Sequence, residues 1–170
     1  MTIARLGERT SQRDIQSMRR VRRATVNDTD DLFLLLKALH AESIFHSIPI
    51  DENRLKAFVT FCIHHPSHVC IVYESIAAKI DGFLLGYVQP YFFSSELGAW
   101  DLALYVRPEC RGSLIAFRLW REFKAWATDR RARVLWLGTS AGIAPNRTRK
   151  FYTGLGMLEV GSLYRLSLDP

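Results

Sequence analysis

Three strand-like stretches follow one another in the middle of the chain, and no helical pattern separates them. They are HVCIVYES from His68, FLLGYVQPYF from Phe83 and AWDLALYV from Ala99. Consecutive strands with short connections usually pair as neighbours, so the three predict the centre of one sheet. Because such a sheet must bury its apolar faces against another layer, the chain is expected to fold as a layered α/β or α+β domain.

Helical patterns flank these strands on both sides along the chain. Asp28 is a candidate N-cap for a first helix, and a second helix is predicted from about Asp51 to His64. A third helix is predicted to begin near Gly112 or Ser113. Helical spacing relates two sets of apolar residues: Leu32, Leu35, Leu36 and Leu39 in the first helix, and Ile115, Leu119, Phe123 and Trp126 in the third. We therefore expect helices on both faces of the sheet.

The remaining patterns complete a β-α-α-β-β-β-α-β-α-β order. A first strand is predicted from Met18 to Thr25, and RVLWLG reads as a buried strand. A short helix from Thr148 to Leu155 leads into a closing strand, LEVGSLYRLSL. Alternation along the fourth strand puts Asp101 on one face and four apolar residues on the other: Trp100, Leu102, Leu104 and Val106.

Length and composition are those of a globular domain. The chain has 170 residues, of which 48% are hydrophobic and 24% charged. No apolar run approaches the ~20 residues that span a bilayer, and the start MTIARLGERT lacks a secretory apolar region. Cys62, Cys70 and Cys110 form an odd set without metal-type spacing. We therefore expect reduced thiols and a cytoplasmic protein without a membrane partner.

Positive charge is concentrated near the start of the chain. The net charge is +6, and seven arginines fall within the first 23 residues. A basic surface favours anionic partners, either nucleic acid or a phosphorylated small molecule. Residues 1–17 also lack apolar periodicity, which predicts an N-terminal arm or appendage. Residues 18–170 are then expected to form a single domain.

The stretch YVRPECRGSLIA links the fourth strand to the third helix. Pro108 cannot donate a ladder hydrogen bond, so the strand end is expected to splay from its neighbour. The first N–H groups of the following helix lack partners within it and carry the positive end of its dipole. Gly112 permits close approach of a ligand, Ser113 adds a hydroxyl and Arg111 adds a cation. The stretch predicts a phosphate site, with an ordinary strand–loop–helix connection as the alternative.

Two stretches together resemble motifs of the GNAT superfamily of N-acyltransferases. VRPECRGSLIA is similar to its acyl-CoA-binding motif, with Leu114 in the place of a glycine, so that the pyrophosphate loop is degenerate. NRTRKFYTGLGM is similar to its later motif, which here supplies Asn146, Tyr152 and residues 155–157. The resemblance covers roughly residues 18–168. It implies a mixed, mostly antiparallel central sheet that is splayed at the fourth strand.

The resemblance also implies an activity and a way of binding. It implies transfer of an acetyl group from acetyl-CoA to a primary amine of a small molecule or peptide by direct attack, with no metal. The pantetheine would pair with the backbone of Leu104, Tyr105 and Val106. The diphosphate would meet N–H groups of the turn and helix start, and Asn146 would belong to the same site. These turn residues are Arg111, Gly112, Ser113, Leu114, Ile115 and Ala116.

Two residues are candidates for the acid–base chemistry. The resemblance makes Tyr152 the acid that protonates the departing thiolate, although a core aromatic is its alternative interpretation. A mid-strand carboxylate is uncommon, so Asp101 is a candidate base, and a solvated strand residue is the alternative. Cys110 stands beside Arg111, a neighbour that would lower its thiol pKa, and an acyl-cysteine route stays open but is not needed.

Several alternatives remain at this point. The chain could be a catalytically weak acyl-CoA-binding or interaction module, which Leu114 favours, or a basic nucleic-acid-associated protein acting through its arm. The sequence leaves open a homodimer, the acyl chain length and the acceptor. Pro66 separates the histidines of HHPSH, which favours structural or surface roles over a metal site. The loop between the first two helices offers acceptor contacts: Glu42, His46, Asp51 and Glu52.

Overall fold

A single mixed sheet runs through the computed structural model, which describes residues 21–166 and 168. Its order is β1-β2-β3-β4-β5 in the described residues. The first four strands pair antiparallel and β5 lies parallel to β4, which confirms the mixed, mostly antiparallel sheet. The strands are β1 (Val21–Arg23), β2 (His68–Glu74), β3 (Ile80–Pro90), β4 (Leu97–Val106) and β5 (Val134–Trp136).

Four α-helices accompany the sheet in the described part of the chain. They are α1 (Thr29–Glu42), α2 (Glu52–His64), α3 (Ile115–Asp129) and α4 (Pro145–Gly154). Asp51 caps α2, because its Oδ1 accepts a hydrogen bond from the Arg54 N–H at 3.0 Å. Asp28 makes no such bond to α1, contrary to expectation. Its carboxylate instead accepts from the Thr25 N–H at 2.7 Å and from the Arg22 guanidinium at 2.8 Å.

Helices cover both faces of the sheet, as predicted. On one face, Leu32, Leu35 and Leu36 of α1 and Val59 and Cys62 of α2 pack on β2 and β3. On the other face, α3 buries the apolar residues that helical spacing had grouped: Ile115, Leu119, Phe123 and Trp126. Full burial of one such side chain stabilises the fold by about 1.5–3 kcal/mol. The two clusters therefore hold the sheet rigidly between helical layers.

A β-bulge interrupts β4 at Leu102. Leu85 of β3 faces Ala103 and the next residue, Gly86, faces Asp101, so Leu102 is the extra residue. The predicted common face of Trp100, Leu102, Leu104 and Val106 is therefore wrong. The α3-side core takes Ala99 together with Leu104 and Val106, because an extra residue reverses the alternation of a strand.

The sheet opens between β4 and β5. Their pairing ends where Trp100 faces Trp136, whereas β4 continues to Val106. This confirms the splay that was predicted at the fourth strand. We call the point of separation, beyond Trp100 and Trp136, the fork. The backbone groups of β4 beyond the fork that face away from β3 have no strand beside them in the described residues.

The C-terminal end of the described chain departs from the sequence pattern. Residues 157–166 form neither helix nor strand, so the predicted closing strand is wrong. Leu158, Leu163 and Tyr164 are strongly exposed there. The physical reason is that β5 is only three residues long and offers little backbone for a further strand to pair with. The predicted arm at residues 1–17 lies outside the described residues.

No helix among the described residues is long and apolar enough to cross a bilayer.

Candidate functional site

A cavity of about 890 Å³ occupies the opening beyond the fork. Its floor is β4 from Asp101 to Val106, and the turn before α3 borders it. The connection from β5 to α4 and one side of α4 form the opposite wall. The end of α1, the α1–α2 loop and the start of α2 close it. The cavity is thus bounded by the elements that the sequence motifs occupy.

The turn before α3 is shaped for close approach of a ligand. Gly112 has φ of +90°, and a Cβ there would lie 3.1 Å from Nη2 of Arg147. The Ser113 hydroxyl donates to the Cys110 carbonyl at 2.7 Å, which steadies the turn. The i−4 hydrogen bonds of α3 begin with the bond from Arg118 N–H to the Leu114 carbonyl. Earlier amide groups therefore have no i−4 acceptor in the helix.

Most of the residues predicted to bind the cofactor come together on the cavity wall, and three do not. Leu114 is 63% exposed and does not line the cavity, and Ile115 is buried in the core on the α3 side of the sheet. Asn146 is exposed on α4, where Arg147 and Thr148 line the cavity instead. The helix also begins at Ile115, later than predicted. The residues on the wall are Leu104, Tyr105, Val106, Arg111, Gly112, Ser113 and Ala116.

Arg111 is held by protein groups. Its Nη2 lies 2.8 Å from Oε2 of Glu42, and its Nε donates to the Val106 carbonyl at 2.9 Å. Glu42 Oε1 also accepts from the Tyr105 hydroxyl at 2.6 Å. Burial would raise the pKa of Glu42, but the hydrogen bonds from Tyr105 and Arg111 hold it below its ordinary value. Glu42 thus ties α1 to β4 and the turn, and it does not line the cavity.

Asp101 stands at the fork. Its Oδ1 accepts a hydrogen bond from the Gly138 N–H at 2.9 Å, just beyond the end of β5. Burial raises the pKa of the carboxyl to about 6, and the hydrogen bond from Gly138 opposes that rise. Asp101 is therefore mostly ionised at neutral pH, yet it is more basic than an ordinary aspartate.

Tyr152 reaches the same glycine from α4. Its hydroxyl donates to the Gly138 carbonyl at 3.3 Å, and its ring is buried. Burial raises the pKa of the phenol, and the charge of Asp101 raises it further. Tyr152 therefore stays protonated across the physiological range. The two candidate acid–base residues thus share one backbone neighbour on the cavity wall.

Cys110 does not have the lowered pKa that its arginine neighbour had indicated. Burial raises the pKa of its thiol, and the carboxylates of Asp81 and Glu109 raise it further. The charges of Lys79 and Arg107 only partly oppose this rise. A thiolate nucleophile is therefore disfavoured at this position.

The part of the cavity wall that α1, the α1–α2 loop and α2 form is here called the acceptor half. Of the four contacts expected there, Asp51 alone lies on the wall. His46 bonds to the Ser43 carbonyl, and Glu52 pairs with Lys37 at 2.6 Å. Sequence reasoning missed most of the wall because it searched for polar residues. Its members are Leu36, Leu39, His40, Ser43, Phe45, Ile48, Pro49, Ile50, Asp51, Arg54, Leu55 and Phe58.

Two histidines of HHPSH, His65 and His68, pack on each other away from this cavity, and His64 bonds to the Thr60 carbonyl at 2.9 Å. The rings of His65 and His68 lie 5.1 Å apart, and both contact Phe61. The described residues contain no group of three or more metal-ligating side chains.

The chain is similar to a known protein family and to a curated protein. The model of the acetyltransferase (GNAT) family matches residues 29–157. A curated relative, L-2,4-diaminobutyric acid acetyltransferase of Bordetella parapertussis, is 33% identical over 109 residues. The match covers 63% of this chain and 54% of the relative. The chain therefore spans about half the length of that protein.

Solved structures share the fold at low sequence identity. An acetyltransferase of Trypanosoma brucei superposes with a TM-score of 0.68 at 19% identity, covering 87% of this chain and 98% of that one. Glucosamine-6-phosphate N-acetyltransferase of Arabidopsis thaliana superposes with a TM-score of 0.69 at 14% identity, covering 88% and 97%. At these identities the likeness concerns the fold alone.

Proposed function

The chain belongs to the GNAT acetyltransferase family, and from that premise we propose that it moves an acetyl group from acetyl-CoA directly to a primary amine. The observation that carries the proposal is the placement of Asp101 and Tyr152 around Gly138 at the fork. The similar Bordetella protein is named for a diamino acid, which supports an amine as the acceptor.

Two features of the cavity support the binding of acetyl-CoA. Beyond the fork, β4 has one side without a strand, and an extended pantetheine can pair there as an added strand would. The turn at Gly112 offers amide groups to a diphosphate, and the exposed side chain of Leu114 does not obstruct them. This fit favours the enzyme over a bare interaction module. Bound acetyl-CoA supplies the thioester, whose carbonyl carbon is the electrophile.

The chain's own residues then move two protons. The ionised Asp101 accepts a proton from the ammonium form of the amine, either directly or through a water, and leaves a nucleophilic nitrogen lone pair. The new bond joins that nitrogen to the acetyl carbon while the carbon–sulfur bond breaks. Tyr152, which is protonated at neutral pH, donates its proton to the departing sulfur. The attached nitrogen, which is cationic once the new bond has formed, loses its second proton to solvent. Solvent then reprotonates the Tyr152 phenolate and takes the proton from Asp101, so the products are an N-acetyl amide and free CoA thiol.

Thiol release tests the proposal directly. The full chain is incubated with acetyl-CoA and a panel of primary amines, L-2,4-diaminobutyric acid included, and free thiol is followed. We expect amine-dependent release. In parallel, acetyl-CoA at a hundredfold excess over its Kd should stabilise the chain by about 2.7 kcal/mol, or roughly 5–10 °C in Tm. If millimolar acetyl-CoA or CoA produces no Tm shift, the chain is an interaction module.

A further inference from the structure

The acceptor half of the cavity is walled mainly by apolar side chains. They come from three consecutive segments of chain: α1, the α1–α2 loop and the start of α2. Apolar walls bind apolar surface, and they penalise polar groups that cannot keep their hydrogen bonds. The wall therefore carries information about the acceptor. Its apolar members are Leu36, Leu39, Phe45, Ile48, Pro49, Ile50, Leu55 and Phe58.

Two of the polar side chains on the same wall, those of Asp51 and Ser43, already make hydrogen bonds within the protein. The Asp51 carboxylate caps α2 by accepting from the Arg54 N–H. The Ser43 hydroxyl donates to the His40 carbonyl at 2.9 Å and accepts from the Phe45 N–H at 3.1 Å, which fixes the start of the loop. These groups hold the shape of the wall, and they do not need a ligand to complete their hydrogen bonds.

The fork, in contrast, places a charged group on the cavity wall. Asp101 lines the cavity there, and its carboxylate matches the charge of an ammonium group. The cavity thus combines the Asp101 carboxylate at the reacting end with a mainly apolar surface on the acceptor side. An acceptor that matches both parts carries its amine at one end and an apolar body behind it.

We propose that the acceptor is a primary amine attached to an apolar chain or ring, with the amine at Asp101 and the apolar body against Leu39, Phe45 and Phe58. This inference rests on the proposed acetyl transfer and adds its substrate class. His40 and Arg54 are the polar side chains of the wall that make no hydrogen bond within the described residues. An amine bearing a carboxylate for Arg54 is therefore the competing acceptor.

A homologous series of acceptors separates these two classes. Straight-chain primary amines from ethylamine to hexylamine differ only in the number of methylenes. Burying one methylene changes an equilibrium by about fourfold at 25 °C. We expect kcat/KM to rise by about three- to fourfold per added carbon until the acceptor half is filled. The polar substrates for comparison are ω-amino carboxylic acids and diamines of the same lengths, together with L-2,4-diaminobutyric acid.

A pair of phenylalanine variants tests the wall itself. Phe58 lies on the cavity wall and is 38% exposed, so Phe58→Ala should leave the fold intact. It should lower kcat/KM for hexylamine at least fivefold and for ethylamine less than twofold. Phe92→Ala is the matched control, because Phe92 is 100% exposed and lies outside the cavity. Ile48→Ser changes a residue of the α1–α2 loop and is a second, independent test of the same wall.

Each outcome has a distinct meaning. The apolar acceptor is supported if kcat/KM of the unchanged protein rises with the chain length of the amine and if this rise is smaller in Phe58→Ala or Ile48→Ser. A flat profile, or higher kcat/KM for ω-amino carboxylic acids than for alkylamines of equal length, overturns it while acetyl transfer stands. If no amine releases thiol although acetyl-CoA is present, the proposed function fails, and the acceptor class fails with it.

Discussion

Asp101 and Tyr152 are positioned by the two backbone groups of one glycine. The Gly138 N–H donates to the carboxylate, and the Gly138 carbonyl accepts from the phenol. Because neither bond uses a side chain of the β5–α4 connection, substitutions there that keep the backbone path should preserve the pair. The same arrangement keeps the two ionisable groups near each other with opposite protonation at neutral pH.

Removing the Tyr152 hydroxyl should affect chemistry more than binding. Tyr152→Phe deletes one oxygen and one long hydrogen bond, so Tm should change little. We expect kcat to fall by roughly 10² or more, with KM nearly constant, because the proton is needed as the thiolate forms. Steady-state thiol release measures both values. Tyr164→Phe, in the exposed tail, is the control. A variant with unchanged kcat would end the acid assignment.

Asp101 predicts opposite pH dependences for activity and stability. As a base it must be ionised, so kcat/KM should fall as the pH drops through about 6. Its folded-state pKa is above the unfolded value, so the folded state binds more protons between about pH 4 and 6. This group alone therefore makes the fold less stable as the pH rises through that window.

Asp101→Asn should remove the pH dependence of activity and the contribution of this residue to the pH dependence of stability. We expect the acid limb of kcat/KM to disappear together with most of the activity at pH 8, while the urea midpoint varies less between pH 4 and 6. Full activity of the variant at pH 8 would make Asp101 a structural residue of the fork.

Residue-level sequence reasoning singled out two acid–base candidates that the structure places on the cavity wall. Asp101 was found because a mid-strand carboxylate is conspicuous, and Tyr152 because a motif resemblance pointed to it. The partner of Arg111 was not foreseen, because Glu42 is 69 positions away along the chain. Asn146 does not line the cavity, because its spacing to Tyr152 says nothing about which side of α4 faces the cavity.

At the scale of elements, the turn between β4 and α3 is the most constrained connection. Gly112→Ala should be destabilising by about 1 kcal/mol or more, because φ of +90° is unfavourable for alanine and Arg147 must move. We also expect weaker acetyl-CoA binding in calorimetry. Gly154→Ala is the matched control, since its Cβ would meet nothing within 4 Å at an ordinary φ. Equal effects of the two changes would show that the turn carries no special constraint.

Periodicity predicted the elements but not their irregularities. The first and third helices and the central strands follow from apolar patterns in the sequence. The bulge at Leu102 does not, because the mostly apolar stretch AWDLALYV gives no sign of an extra residue, which is decided by pairing with β3. The predicted closing strand does not form, and the reason is the lack of a strand to pair with. Residues 157–166 have strand-like composition, yet a strand needs a neighbour, and β5 spans only Val134–Trp136.

At the scale of the whole molecule, we propose that residues 18–170 are the acyltransferase domain and residues 1–17 an appendage. A chain that starts at Met18 should keep its Tm and its thiol-release rate, with the full chain as control. Loss of several kcal/mol of stability would contradict this boundary. If only salt-sensitive binding to DNA or RNA disappeared, the arm would be a nucleic-acid contact.

The half-paired state of β4 has a consequence for hydrogen exchange. Beyond the fork, alternate amide groups of the strand bond to β3, and the others face the cavity. Neighbouring residues of one strand should therefore exchange their amide hydrogens at very different rates in the free protein. A ligand lying along the open side would protect every second amide from 103 to 106, beyond the bulge, and leave the amides between them unchanged. That alternating pattern would report which backbone groups the ligand meets, one residue at a time.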